Sequence, residues 1–309
     1  MHALNKLNYR QTEMLWAIVT AGSISGAARL LGISQPAVSR MLAHTEKQLG
    51  LELFERVRGR LQPTRQVHSL FEEIDRAQRM MQRVNDLAEA LSSHGSGVLR
   101  LTSIPSLTQY LVPRAVARFQ QRHPDVLLRL NATALTQMLP DVLHGEAELG
   151  LVVMQADHPF LTNIPLHTGR MVAAIPRGHP LAGRASVSLA DLSPHPLIVV
   201  GTRMPYGMLA LNAFEQAGLP VKMCADVPWS HLACALVNAG AGIAVIDEFT
   251  VMHNIWPEVA IVPLAENIPL HISAIHTSNR PLSRIAGEFV EELQAVLRET
   301  FSPKSRVNT

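Results

Sequence analysis

Cysteine is almost missing from this chain: Cys224 and Cys234 are the two among 309 residues. Two such residues make no disulfide framework and stand at no metal-ligand spacing, so they read as small buried side chains. Long hydrophobic runs are missing too. No stretch of about 18 uninterrupted apolar residues exists to cross a bilayer. The opening MHALNKLNYRQTEML has no apolar signal core before its charges recur. These absences point to a cytoplasmic protein with no membrane partner.

Catalytic signatures are equally scarce. AGAGIA (239–244) is not G-x-G-x-x-G, and a helical pattern precedes it instead of following it, which disfavours a dinucleotide-phosphate loop. No G-x-S-x-G nucleophile elbow occurs. The 14 histidines are scattered, several in turn-like HPF, GHP and SPHP, without a helical pair and third ligand for a metal. We expect no enzyme, no metal and no cofactor.

What is present is a core-forming composition, 47% hydrophobic, long enough for two or three compact units. The net charge of +2 conceals an asymmetry. Residues 1–65 carry nine Lys/Arg against four Glu, a local +5 that leaves −3 for the remainder. A basic head on a mildly acidic body is expected where only the head meets a polyanion.

The head reads as three helices. In NYRQTEMLWAIVTAG, Met14, Leu15, Ile18 and Val19 fall at helical spacing and Gly22 ends the helix. SGAARLLG follows, with Ser25 as its cap and Gly32 as its turn. Ser34 caps a third helix with Pro36 in its first turn, where a missing N–H costs nothing. Ala28 is small where two helices cross, Gly32 turns four residues later, and Val38 packs back six residues beyond. That spacing is the helix-turn-helix pattern. In the third helix Val38, Met41, Leu42, Thr45 and Leu49 share one face. Ser34, Gln35, Pro36, Ser39 and Arg40 form the front that would enter a major groove, with His44 far down the helix. LELFERVRGRLQPTR then reads as a hairpin turning at Gly59. Its Arg56, Arg58 and Arg60 suit phosphate or minor-groove contact.

SISGAARLLGISQPAVSRMLAHTEKQLGLELFERVRGRLQPT resembles the DNA-binding domain of the LysR-type transcriptional regulators. The core of the likeness is A-A-x-x-L-x-I-S-Q-P-A-V-S followed by G-x-x-L-F-x-R, and it covers roughly the first 65 residues. Arg65 departs from the Pro or Ala common after the wing threonine.

From Thr64 the chain reads as helix to about Leu91. Val67, Leu70, Ile74, Ala77, Met81, Val84, Ala88 and Leu91 alternate spacings of three and four, the seam of a coiled coil. A long amphipathic helix packed on its own domain is the competing reading. SSHGSG (92–97) stops the helix and hinges the chain. A two-fold pair of heads asks for a two-fold operator. The resemblance likewise implies a dimer through this helix, and commonly a tetramer.

After Gly97 strands and helices alternate: VLRLTS, SLTQYLVPRAVARFQQRHP, VLLRLNA, TQMLPDVLHGE, AELGLVVM. This order implies a parallel sheet. A second α/β set runs to GIAVID, and the strand LHISAIHT with the last helix returns to the first. The expected architecture is a winged helix-turn-helix (1–65), a linker helix (66–91), a hinge (92–97) and an α/β two-lobed effector domain (98–309). Lobe I takes about 98–162 and 270–309, and lobe II about 163–269. Ligands bind such sheets at the carboxyl ends of strands, near helix N-termini. The candidates there are Ser103, Pro105, Ser106, Thr133, Thr136, Gly201, Thr202, Arg203, Trp229, Ser230, Ile246 and Asp247. Each has a plainer reading: Ser106 and Ser230 as caps, Thr202 as loop, Arg203 as solvated, Trp229 as core. Helix N-termini and Arg203 favour an anionic effector.

LVPRAVARFQQRHPDV, HGEAELGLV and LVNAGAGIAVID resemble the effector-binding domain of the same family, which is periplasmic-binding-protein-like. There the loops matching Ser106 and Thr202 contact the inducer. Within the family, LNYRQTEML and VPWSHLACALVNAGAGIAVID resemble LysR itself and the octopine and nopaline regulators, which respond to amino acids or their derivatives. The expectation is a bacterial DNA-binding transcriptional regulator answering a small effector, with RNA polymerase as a partner if it activates. The competing reading is a cytoplasmic two-lobed binding protein whose DNA binding is secondary.

Overall fold

The computed structural model describes residues 6–57, 60–92, 97–252 and 255–302. The chain divides into two compact units, Met1–His94 and Gly95–Thr309.

The first unit opens with α1 (Tyr9–Ala21), α2 (Ile24–Leu31) and α3 (Gln35–Leu49). Asn8 and Gln11 close a reciprocal capping box at the start of α1. Gly22, Gly32 and Gly50 end the three helices at φ near +65°, a conformation that glycine adopts without a Cβ penalty. Met14, Leu15, Ala17, Ile18, Ala27, Ala28, Val38 and Leu42 form the core, while Val19 is exposed. The cap of α2 is Ser23, which accepts from Gly26 N–H, and not Ser25. Ser34 occupies the N-cap position of α3 without a side-chain capping bond. β1 (Phe54–Val57) and β2 (Arg60–Pro63) pair antiparallel as a hairpin. Leu61 N–H bonds Gly22 O at 3.3 Å and ties that hairpin to the end of α1.

A short 3-10 turn, Arg65–Val67, precedes α4 (His68–Ser92). Here the seam expected from the sequence divides. Val67 and Ile74 are buried in the head's own core with Phe71, and Leu70 packs against it. Trp16 Nε1 donates to Asp75 Oδ1 at 3.2 Å, fastening α4 to α1. Those seam positions are therefore occupied within one chain, because the first turns of α4 supply the apolar wall that three short helices leave open. Ala77, Val84 and Ala88 stand exposed further along, with Met81 half-buried. The side chain of Leu91 lies outside the described residues.

The second unit holds β3 (Val98–Ser103), α5 (Pro105–Thr108), α6 (Leu111–Arg122), β4 (Leu127–Ala132), α7 (Leu135–Leu143), β5 (Leu149–Val152) and β6 (Leu161–Pro176). There follow α8 (Leu189–Leu192), β7 (Pro196–Val200), α9 (Pro205–Gln216), β8 (Lys222–Val227), α10 (Ser230–Asn238), β9 (Ile243–Asp247), β10 (Val259–Pro263), β11 (Pro269–Thr277) and α11 (Arg284–Thr300). The strand order is β4-β3-β5-β11-β6-β9-β7-β8, with β10 also on β6. β3 runs parallel to β4 and β5 in one lobe, and β7 parallel to β8 and β9 in the other.

The sixteen-residue β6 belongs to both lobes. Its first half pairs with β11 and its second half with β9 and β10. Polar residues recur through its first half, LTNIPLHTGR, which is only partly buried, whereas Met171–Ile175 is wholly buried. The single helix expected over SLTQYLVPRAVARFQQRHP is two, broken at Tyr110 (φ −142°, ψ −55°). Pro113 explains the break: in a continuous helix its ring would meet the carbonyl of Gln109. α11 returns to lobe I, where Phe289 meets Phe119 edge-on at 5.6 Å. Arg118 and Arg122 both pair with the buried Glu292 of α11.

Candidate functional site

The front of α3 faces solvent. Ser34, Gln35, Pro36 and Arg40 are exposed and Ser39 is half-buried, while Val38 and Leu42 hold the opposite face in the core. Ser25, set aside as a cap, has another part: its hydroxyl donates to Gln35 Oε1 at 3.1 Å. That bond fixes the side-chain amide across the turn and leaves the NH2 end pointing as the donor. His44 is exposed two turns further on. On the hairpin Arg56 is exposed opposite Leu61, and Arg60 stands opposite Val57. Arg58 lies outside the described residues, as does the side chain of Arg60.

In the second unit five segments converge on one cleft. They are Ile104–Ser106 after β3, Ala134–Thr136 after β4, Val152–Met154 at the end of β5, Met204–Tyr206 after β7 and Pro228–Ser230 after β8. All lie at carboxyl ends of parallel strands, and all but Val152–Met154 open a helix, whose first turn presents N–H groups with no acceptor in their own helix. The cleft holds about 600 Å3, part of it open to solvent. Its walls are mainly apolar: Ile104, Leu135, Val153, Met154, Met204 and Trp229 among them. Gly207 lets α9 approach closely, since a Cβ there would lie 2.0 Å from Val200 O.

The polar part of the lining is Ser106, Thr136, Tyr206 and Ser230. Three of these meet beneath the surface on Asp247, which is wholly buried at the end of β9. Its Oδ2 accepts from Ser106 at 2.8 Å, Ser230 at 2.7 Å and Tyr206 at 2.9 Å. Its Oδ1 accepts from the N–H of Thr250 at 2.8 Å and the hydroxyl of Thr250 at 2.9 Å. Ser106 belongs to lobe I and the others to lobe II, so the carboxylate fastens the two lobes. Burial, and then the charge of Asp247, push the Tyr206 phenol well above its ordinary pKa. The same two causes push the Cys234 thiol up to about 12.

Of the residues expected at the cleft, Pro105, Ser106, Thr136, Trp229 and Ser230 line it, and Asp247 lies below. Ser103, Thr133, Thr202 and Arg203 are not among its lining. Ser103 is buried and donates to Ile104 O. Thr133 is buried and its hydroxyl goes to Gln137. Both the N–H and the hydroxyl of Thr202 bond Asp226. Arg203 is exposed. Gly201 and Ile246 are backbone and core positions at φ +66° and full burial. Sequence reading passed over Tyr206, although MPYG announces a helix start at the end of a strand. Among the described residues no group of His, Cys, Asp and Glu could hold a metal, and no helix is long and apolar enough to cross a membrane.

A winged helix-turn-helix head followed by a two-lobed α/β unit with a central cleft defines a ligand-responsive, DNA-binding regulator of transcription. Residues 9–67 match the family described as bacterial regulatory helix-turn-helix protein, lysR family, and residues 92–298 match the LysR substrate binding domain. The chain belongs to the LysR family of transcriptional regulators. The transcriptional activator protein LysR of Escherichia coli is 33% identical over 94% of this chain and 94% of its own. The transcriptional regulator DgcR of Pseudoalteromonas is 29% identical over 93% of this chain and 99% of its own. The octopine catabolism/uptake operon regulatory protein OccR of Rhizobium meliloti is 28% identical over 94% and 96%. Among solved structures, CbnR, a LysR family transcriptional regulator, superposes with a TM-score of 0.78 at 22% identity, covering 94% of this chain and 99% of its own. That likeness carries the fold.

Proposed function

We propose that the front of α3 reads an operator in the major groove, with Ser34, Gln35, Pro36, Ser39 and Arg40 at base edges and phosphates. The exposed Gln35 amide, held by Ser25, carries this reading. Arg56, Arg58 and Arg60 of the hairpin bind phosphate or line the minor groove. Two chains pair through the outer part of α4, where Ala77, Val84 and Ala88 are exposed, and the pair meets half-sites about one helical turn (~34 Å) or a multiple apart. The effector is a small molecule in the cleft, an amino acid or amino-acid derivative, whose carboxylate meets first-turn N–H groups of α7, α9 or α10. The name of the Rhizobium relative, tied to octopine, supports that class. Its binding shifts the population of subunit arrangements and so the spacing and bending of DNA. Where the outcome is activation, RNA polymerase is the further partner.

The test is a pair of substitutions measured on operator and on random DNA across salt concentrations. Gln35→Ala is expected to lose about 1–3 kcal/mol on the operator alone, and Arg56→Ala to weaken both DNAs alike and reduce the salt slope by about one. Equal loss on both DNAs for Gln35→Ala removes it from base reading.

A further inference from the structure

Three of the four hydroxyls that line the cleft, those of Ser106, Ser230 and Tyr206, have no proton to offer a ligand; the fourth is that of Thr136. Each owns one proton. Those of Ser106, Ser230 and Tyr206 are all within 2.9 Å of the same carboxylate oxygen. Tyr206 and Ser230 also lie 3.1 Å apart, and either could donate to the other, but every such allotment keeps both protons inside the network. Tyr206 further accepts from the N–H of Asp247. Toward the cleft, Ser106 and Ser230 therefore present lone pairs.

The charge beneath them has the same sign of preference. Asp247 is 0% exposed and holds five hydrogen bonds, with no ion pair among the described residues. No Lys, Arg or His lines the cleft, and its apolar walls keep the local dielectric low, so the carboxylate's field reaches the ligand with little screening. A bare anion on this floor would meet lone pairs above a negative charge.

We infer that the effector carries a protonated amine, seated on Ser106 and Ser230 above Asp247, and that an effector with a carboxylate and no amine is rejected. This inference rests on the reading that the cleft is the effector site, and it revises the expectation of a simply anionic ligand. A ligand that also has a carboxylate places it at the rim, on the first-turn N–H groups of the helices. The class is then a zwitterion or an amine with an apolar body.

The experiment is thermal unfolding of the full-length protein with three probes on one carbon skeleton: norleucine, pentylamine and hexanoate. The two amines are expected to raise the melting temperature and hexanoate to leave it unchanged. Ser230→Ala removes one acceptor to the ammonium and should weaken both amines about tenfold, since a hydrogen bond to a charged group contributes on the order of 1.5 kcal/mol or more. Asp247→Asn offers the hydroxyls an N–H2 to accept from, turns their protons outward and should reverse the order in favour of hexanoate. Should that variant fail to fold, Ser230→Ala alone decides. Thr136→Trp fills the cleft and should abolish amine binding. Amines that bind Thr136→Trp as tightly as wild type overturn the cleft reading itself. Hexanoate equal to norleucine in wild type, with both lost in Thr136→Trp, overturns the amine requirement alone. So does the absence of any shift with either amine.

Discussion

Ile74→Ala separates the two uses of α4. Ile74 is 3% exposed and sits with Val67, Phe71 and Trp16 in the core of the head. The substitution deletes three carbon atoms where the surrounding helices cannot collapse freely, because α1 is fastened to α4 by the Trp16–Asp75 bond. Large-to-small changes at such sites cost about 2–5 kcal/mol. A unit of this size shifts by roughly 4–8 °C per kcal/mol, so its melting temperature should fall by at least about 8 °C. The second unit shares no residue with that core and should melt unchanged. Ala77→Asp, one turn on at an exposed position, should leave head stability within about 0.5 kcal/mol and instead weaken chain pairing. Because pairing also stabilises by mass action, Ile74→Ala is measured in the Ala77→Asp background. The assay combines hydrogen exchange resolved by segment with sedimentation velocity at fixed concentration. A head whose exchange protection is unaltered by Ile74→Ala refutes the assignment of this residue to the core. A dimer unaltered by Ala77→Asp refutes the seam.

Two further outcomes follow from the second unit. Cys234 is buried with its thiol pushed up to about 12, whereas Cys224 is exposed, so a thiol reagent at pH 8 should titrate one cysteine in the native protein and the second only on unfolding; two fast thiols would contradict the burial. Asp191 is held at about 2, against 3.8 ordinarily, by the Ser188 N–H first, then the Ser188 hydroxyl, then Arg184. A depressed carboxylate contributes stability above its unfolded pKa and loses it as pH falls through the folded value, so the contribution fades from about pH 4 to about pH 2. Carboxyl NMR should place its midpoint near 2 and show Ser188→Ala, which removes the hydroxyl and keeps the N–H, moving it part of the way upward; a midpoint insensitive to Ser188→Ala would remove the hydroxyl as a cause.

The head was legible because its determinants are local. Ala28, Gly32 and Val38 stand within eleven residues, and each does what its chemistry requires: close crossing, positive φ and core packing. The strands of the second unit were legible for the same reason, as short branched-apolar runs between turn residues. The errors lie where one residue type serves two local purposes. Ser23 and Ser25 both suit a cap, and only the path of the chain decides which one reaches Gly26 N–H. The three-four repeat of α4 records apolar positions but not what covers them, and the same spacing serves the head's core at Ile74 and an open face at Ala77.

The cleft was harder to read for a reason of distance along the chain. Strand ends can be found one at a time, which is why Ser106, Trp229 and Ser230 were within reach. Their chemistry depends on a carboxylate that bonds Ser106 across 141 positions of sequence, and Tyr206 across 41. A serine after a strand reads as a donor for an anion while its own partner is unknown. With its hydrogen bond donated to Asp247, the same serine can only accept, and the ligand proposed for it changes sign. Arg203 suggests the opposite polarity: it is a cation in the loop after β7, exposed and outside the cleft lining, while the neighbouring Thr202 bonds Asp226. Residue type at a strand end therefore marks where the proposed ligand would sit. The polarity of what it must carry is set by the partners those residues already have.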